Sequence, residues 1–105
     1  MKRGRPFSSI VRQNLVELLN LIGKAYGYQL HKIYIELFPQ VTREVVYYNL
    51  RTGAKLGEFE VEVKQEKGDY SWGAVVEKIY YSLGPKAMPK GDERVKKWFE
   101  NKKIT

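Results

Sequence analysis

Between Val41 and Phe59 the chain reads VTREVVYYNLRTGAKLGEF, and its apolar positions follow first a helical and then a strand period. On a helix opened at Thr42, Val46, Leu50 and Gly53 share one face. Glu44, Tyr48, Arg51 and Lys55 occupy the opposite face, with Tyr47 and Thr52 on its flanks. Thr42 carries the hydroxyl of a good N-cap, Val41 and Val46 stand where a hydrophobic staple fixes the entry of the chain, and Gly57 supplies a left-handed stop. Such a helix turns to water tyrosine, arginine and lysine side chains, large groups that packing ordinarily buries. FEVEVK follows at once and alternates apolar with charged residues, the period of a half-buried strand.

The flanking segments are patterned to enclose this stretch. SSIVRQNLVELLNLIG predicts a first helix capped by Ser8 or Ser9, with an apolar stripe of Ile10, Leu15, Leu18, Leu19 and Ile22 and Gly23 as its stop. A second helix is predicted from about Tyr28 to Phe38, ended by Pro39, burying Leu30, Ile33, Tyr34, Leu37 and Phe38. After the third helix, Phe59, Val61 and Val63 are expected on the covered side of a strand, with Glu58, Glu60 and Glu62 on its outer side. The turn at Gly68-Asp69 closes a hairpin onto a returning strand that begins at Trp72 and continues through Val75, Val76, Ile79, Tyr80 and Tyr81. SLGPKAMPKG reads as a hinge-like loop, and a short final helix capped by Asp92 places Val95, Trp98 and Phe99 on one face. The class is α+β: a basic arm at 1–7, a main domain at 8–84, and a loop and helix at 85–105.

A chain of 105 residues is one domain by length. It has no cysteine and one histidine, which removes disulfides, thiolate sites, cysteine nucleophiles and multi-histidine metal clusters. His31 lies off the second helix's apolar stripe and reads as a rim or surface residue. Glu58, Glu60 and Glu62 have no histidine or aspartate cluster nearby, so a solvated edge explains them better than a metal or acid/base site. No enzyme and no cofactor is expected. Net charge is +7 and the pI about 9.6, which favours polyanionic partners. Without an apolar run of spanning length or a signal-peptide core, no membrane is expected and the location reads as cytoplasmic and nucleoid-associated. The opening MKRGRP resembles the core of an AT-hook, in which Arg3 and Arg5 would lie along a narrow minor groove; the alternative is a solvated basic terminus.

The sequence T-x-x-V-V-Y-Y-x-L-R followed by G-E-F resembles the recognition helix and wing of winged helix-turn-helix proteins, in particular PadR-, MarR- and ArsR-like regulators. Those families place a leucine where this chain has Gly53, which points to a helix end that is shorter, frayed or very closely packed. The resemblance implies a three-helix core, a β-hairpin wing and a C-terminal helix, and a role as a transcriptional regulator binding double-stranded DNA. The helix at about 42–56 would enter the major groove with its amino end first. Arg43 and Arg51 are then candidates for guanine edges or nearby phosphates, Glu44 for a cytosine amino group, Tyr47 and Tyr48 for phosphates or a thymine methyl, and Lys55 for a phosphate. Thr42 and Thr52 border that surface, and Lys64 and Lys67 are the wing residues placed to touch DNA. In PadR-like proteins a C-terminal helix forms the dimer, which makes Val95, Trp98 and Phe99 candidate dimerisation residues; packing on the first helix is the other option. A protein-interaction or RNA/chromatin-associated module is the alternative function, favoured by the acidic wing and opposed by the basic arm and helix face.

Overall fold

The computed structural model describes residues 7–67 and 75–104. Its elements run α1 (Phe7–Ile22), β1 (Lys24–Tyr26), α2 (Gly27–Leu37), α3 (Arg43–Leu56), β2 (Phe59–Lys67), β3 (Val75–Leu83) and α4 (Glu93–Ile104). This is the three-helix, wing-bearing α+β arrangement expected from the resemblance. Val11, Leu15, Leu18 and Leu19 of α1 meet Leu30, Tyr34 and Phe38 from α2 and its end, and Val46 and Leu50 of α3. Phe59 at the root of the wing and Val95 of α4 complete the same core. Apolar burial of this kind is the main stabilising term, at about 25 cal/mol per Å² removed from water.

Several expectations are corrected. The α1 helix begins at Phe7, so Ser8 and Ser9 stand in its first turn and not at its cap. Ile10 is 43% exposed and Val11 takes the core position, a shift of one residue in the stripe. The segment Lys24–Tyr26, to which no element is assigned from sequence, is a strand paired antiparallel with Tyr80–Ser82, so the sheet has three strands in the order β1-β3-β2. Of the three residues expected on the covered side of β2, Phe59 is buried but Val61 and Val63 remain 49% and 55% exposed, because the hairpin runs out beyond the helices. The turn at Gly68-Asp69 and Trp72 lie outside the described residues.

The loop after β3 is pinned, not hinge-like. Gly84 and Lys86 donate backbone N–H groups to the carbonyls of Glu58 and Gly57, and Gln13 donates to the Met88 carbonyl. Its far end is held by Glu17 of α1, only 4% exposed, whose carboxylate accepts from the backbone N–H of Lys90 at 2.7 Å and of Gly91 at 3.0 Å. Gln13 donates to the same carboxylate at 2.8 Å. A charge this deeply buried is tolerated because its oxygens are hydrogen-bonded.

Asp92 caps α4 as expected: its Oδ1 accepts from Arg94 N at 2.8 Å and its backbone carbonyl from Lys96 N at 3.1 Å. The Arg94 guanidinium, also bonded to this carboxylate, holds the Asp92 pKa below the ordinary aspartate value. A carboxylate with a depressed folded pKa contributes stability at neutral pH that is lost as pH falls through that value. Asp92→Ala is therefore expected to cost about 0.5–2 kcal/mol at pH 7. In thermal melts the difference between the two proteins should close as pH drops below about 4; a gap unchanged at pH 2 would show that the charge is not the source.

Candidate nucleic-acid interface

Both ends of α3 close as its sequence dictates. Thr42 Oγ1 accepts from Val45 N at 3.3 Å. Gly57, at φ +84°, turns the chain into the left-handed region, which a side chain would resist. There Gly57 N–H bonds to Ala54 O and Glu58 N–H to Gly53 O at 2.9 Å, the paired closure of a Schellman turn. Between these caps, Val46, Leu50 and Gly53 are buried, as the spacing predicts.

Asn49 lies on that same inward face and was not singled out by sequence pattern. It is fully buried, its Nδ2 donating to Val45 O at 2.9 Å while Oδ1 has no partner among the described residues. Its i+3 spacing from Val46 was the available signal.

The end of α3 is closely packed, which decides among the options that Gly53 left open. A Cβ at Gly53 would lie 2.4 Å from two ring carbons of Phe59 and 3.4 Å from Arg12 Cδ. Arg12 in turn donates from Nε to Glu58 Oε1 at 3.0 Å, tying α1 to the root of the wing.

Burying that face fixes what faces outward. Arg43, Glu44, Tyr48, Arg51 and Lys55 are all exposed along α3, and Thr52 is half-buried beside them. Tyr47 is only partly outward: its ring lies against Gly27, where an added Cβ would come within 2.6 Å of Cε1. Beside it opens a cleft of about 350 Å³, bounded by Tyr47 and Arg51 of α3, Tyr26 of β1, Gly27 and Tyr28 of α2, and Glu77, Lys78, Ile79 and Tyr81 of β3. Burial and the adjacent Tyr47 push the Tyr81 phenol up from its ordinary pKa against the pull of the Arg51 charge. At neutral pH that hydroxyl stays protonated and able to donate.

The outer face of the wing is not the bare acidic surface that β2 alone suggests. Lys24 of β1 reaches Glu62 at 2.6 Å, and Glu66 accepts from the Tyr80 hydroxyl at 2.8 Å with Lys78 at 3.4 Å. These partners hold both carboxylates below the usual range, Glu62 chiefly through the Lys24 hydrogen bond and Glu66 chiefly through that of Tyr80. The compensating cations come from β1 and β3, which are distant in sequence. Lys64 is exposed on this outer face, 5.3 Å from the Tyr80 ring centroid, on the opposite side of the sheet from Phe59. The arm residues Arg3 and Arg5 lie outside the described residues, as does the Lys67 side chain at the end of β2.

At the other end of the molecule, Val95 is buried in the chain's own core. Trp98 and Phe99 are half-buried, and Trp98 Nε1 donates to Glu36 at 2.7 Å. His31 shares a 2.9 Å hydrogen bond with the Val41 carbonyl, a structural contact at the helix-turn-helix corner. Among the described residues no cluster of His, Asp and Glu is placed to hold a metal, and no helix is long and apolar enough to cross a membrane.

No protein-family model matches the chain, and no curated protein matches it in sequence. Solved structures do match it in fold. A PadR family transcription regulator from hypervirulent Clostridium difficile superposes with a TM-score of 0.52 at 19% identity, over 90% of this chain and 83% of that one. A transcriptional regulator from Clostridium thermocellum gives a TM-score of 0.50 at 20% identity, over 96% of this chain and 90% of that one. Likeness at this level of identity establishes the winged-helix fold.

Proposed function

We propose that this protein is a sequence-specific double-stranded DNA-binding protein acting as a transcriptional regulator. The observation that carries the reading is the division of α3. Its capped, packed inner face leaves Arg43, Glu44, Tyr48, Arg51 and Lys55 in one exposed row, on a chain of net charge +7. A helix of this kind enters the major groove amino end first, so Arg43 and Glu44 lead toward base edges, with Thr42 at the lip. Lys55 and Thr52 lie toward the trailing end, suited to backbone contacts. Lys64 and Lys67 of the wing, and Arg3 and Arg5 of the arm, would add contacts to backbone or minor groove. The two similar structures are those of transcriptional regulators, which supports the same reading. We further propose a homodimer built through Trp98 and Phe99 of α4, which would set two α3 helices about 34 Å apart on successive turns of DNA.

Selection from a randomised duplex library at two salt concentrations tests this directly. The expected result is a palindromic motif that Arg43→Ala degrades at one position of each half-site. Salt-sensitive binding with no enriched motif would leave only phosphate attraction. Absence of binding at low salt would reject the reading in favour of a protein-interaction module, to which the exposed Val61, Val63 and Ile79 of the wing are suited.

A further inference from the structure

The cleft beside Tyr47 is produced by a mismatch in strand length. β1 pairs with β3 only over Tyr80–Ser82, whereas β3 continues outward through Ile79 and Glu77. Past Tyr80, no described strand lies on that side of β3, and the chain turns into α2 at Gly27. Gly27 keeps this corner open, because any side chain there would strike the Tyr47 ring. Arg43, Tyr47 and Arg51 stand four residues apart, so they form one edge of α3, and Arg51 lies at the cleft end of that edge. Arg51 is about 12 Å along the helix axis from Arg43. The groove-entering end and the cleft are therefore separate places on one surface.

We propose that this cleft seats a phosphodiester of the DNA backbone, with Arg51 as its principal cation, since Lys78 in the lining is engaged by Glu66 and the Tyr26 ring, and with the Tyr28, Tyr47 and Tyr81 phenols as walls and hydroxyl donors. The inference rests on the DNA-binding reading and deepens it: Arg51 positions the duplex, and base discrimination is left to the amino end of α3. A guanidinium beside phenol hydroxyls is donor-rich, which suits a phosphate; the aromatic rings suit the apolar edge of the adjoining deoxyribose. Glu77, exposed at the rim, opposes an anion and so gives the proposal a test of opposite sign.

Binding is to be measured for the full chain on its selected duplex and on a scrambled duplex, across a salt series. Arg51→Ala is expected to weaken both complexes by a similar factor and to reduce the slope of log K against log salt by about 0.9, the value for one phosphate contact. Between 50 and 200 mM salt the wild-type protein should therefore lose about 3.5-fold more affinity than the variant. Arg51→Lys should retain the slope, and Glu77→Gln should tighten both complexes. Both positions are exposed on the surface, and matching thermal melts will confirm that each variant folds. Loss of preference at one base pair with an unchanged slope would make Arg51 a base reader and overturn the proposal. Unchanged binding in all three variants would overturn it too, leaving an extended peptide along the open β3 edge as the occupant to test. If the wild-type protein selects no motif and binds neither duplex at low salt, the DNA reading itself fails, an outcome distinct from either of these.

Discussion

Gly53→Leu is expected to lower the unfolding free energy by about 1–3 kcal/mol, toward the upper end of that range. The first added carbon already falls 2.4 Å from the Phe59 ring, and Phe59 is only 3% exposed, with no free direction in which to turn. On the other side stands the stem of Arg12, held by its bond to Glu58. Gly53→Ala meets the same ring with a smaller group. The gain in helix propensity, about 1 kcal/mol over glycine, offsets part of its cost. Denaturant titration of the single variants and of Gly53→Leu/Phe59→Ala will locate the cause. The double variant should be less destabilised than the sum, because removing the ring removes the clash. Strict additivity would place the strain elsewhere. A leucine at this position is thus excluded by Phe59, the residue that roots the wing.

Glu17→Ala is expected to cost about 2–4 kcal/mol, since it removes the buried carboxylate that accepts from the backbone amides of Lys90 and Gly91 and from the Gln13 side chain. Glu17→Gln keeps one oxygen in place and should cost less. Hydrogen exchange separates a local loss from a global one. The Lys90 and Gly91 amides should lose protection in Glu17→Ala by a larger factor than the core amides of α1 and α3. Equal loss everywhere would mean that the carboxylate supports the core and not the loop. Because that loop leads directly into Asp92 and α4, the placement of Val95 in the core depends on it.

What could be read from the sequence was whatever is encoded locally. The limits of α3 were legible because a threonine cap and a glycine stop act within a few residues, and its inner face because Val46, Leu50 and Gly53 keep helical spacing. Asp92 was legible for the same reason. Non-local features were not. KAY carries no strand signal of its own; it becomes β1 only because Tyr80–Ser82 offers it a partner more than fifty residues later. The acidity of β2 looked repulsive until the fold brought Lys24 and Lys78 alongside. Glu17 was not singled out at all, since the amides that donate to its carboxylate sit in a loop over seventy residues away. The cleft was missed because it is bounded by four elements, none of which outlines it alone.

The short β1 also sets how the wing bears load. Where β1 runs, from Tyr80 to Ser82, β3 is braced on both sides; beyond Tyr80 the projecting arm is, among the described residues, a two-stranded ribbon whose Val63 and Ile79 are about half exposed. A ribbon of two strands has little stability of its own. The wing is therefore a cantilever: rigid where it is clamped to the helices, and compliant from the Glu62–Tyr80 rung outward. Any bending falls along that rung, and because Glu77 and Ile79 lie beyond it, bending changes the width of the cleft they share with Tyr47 and Arg51 of α3.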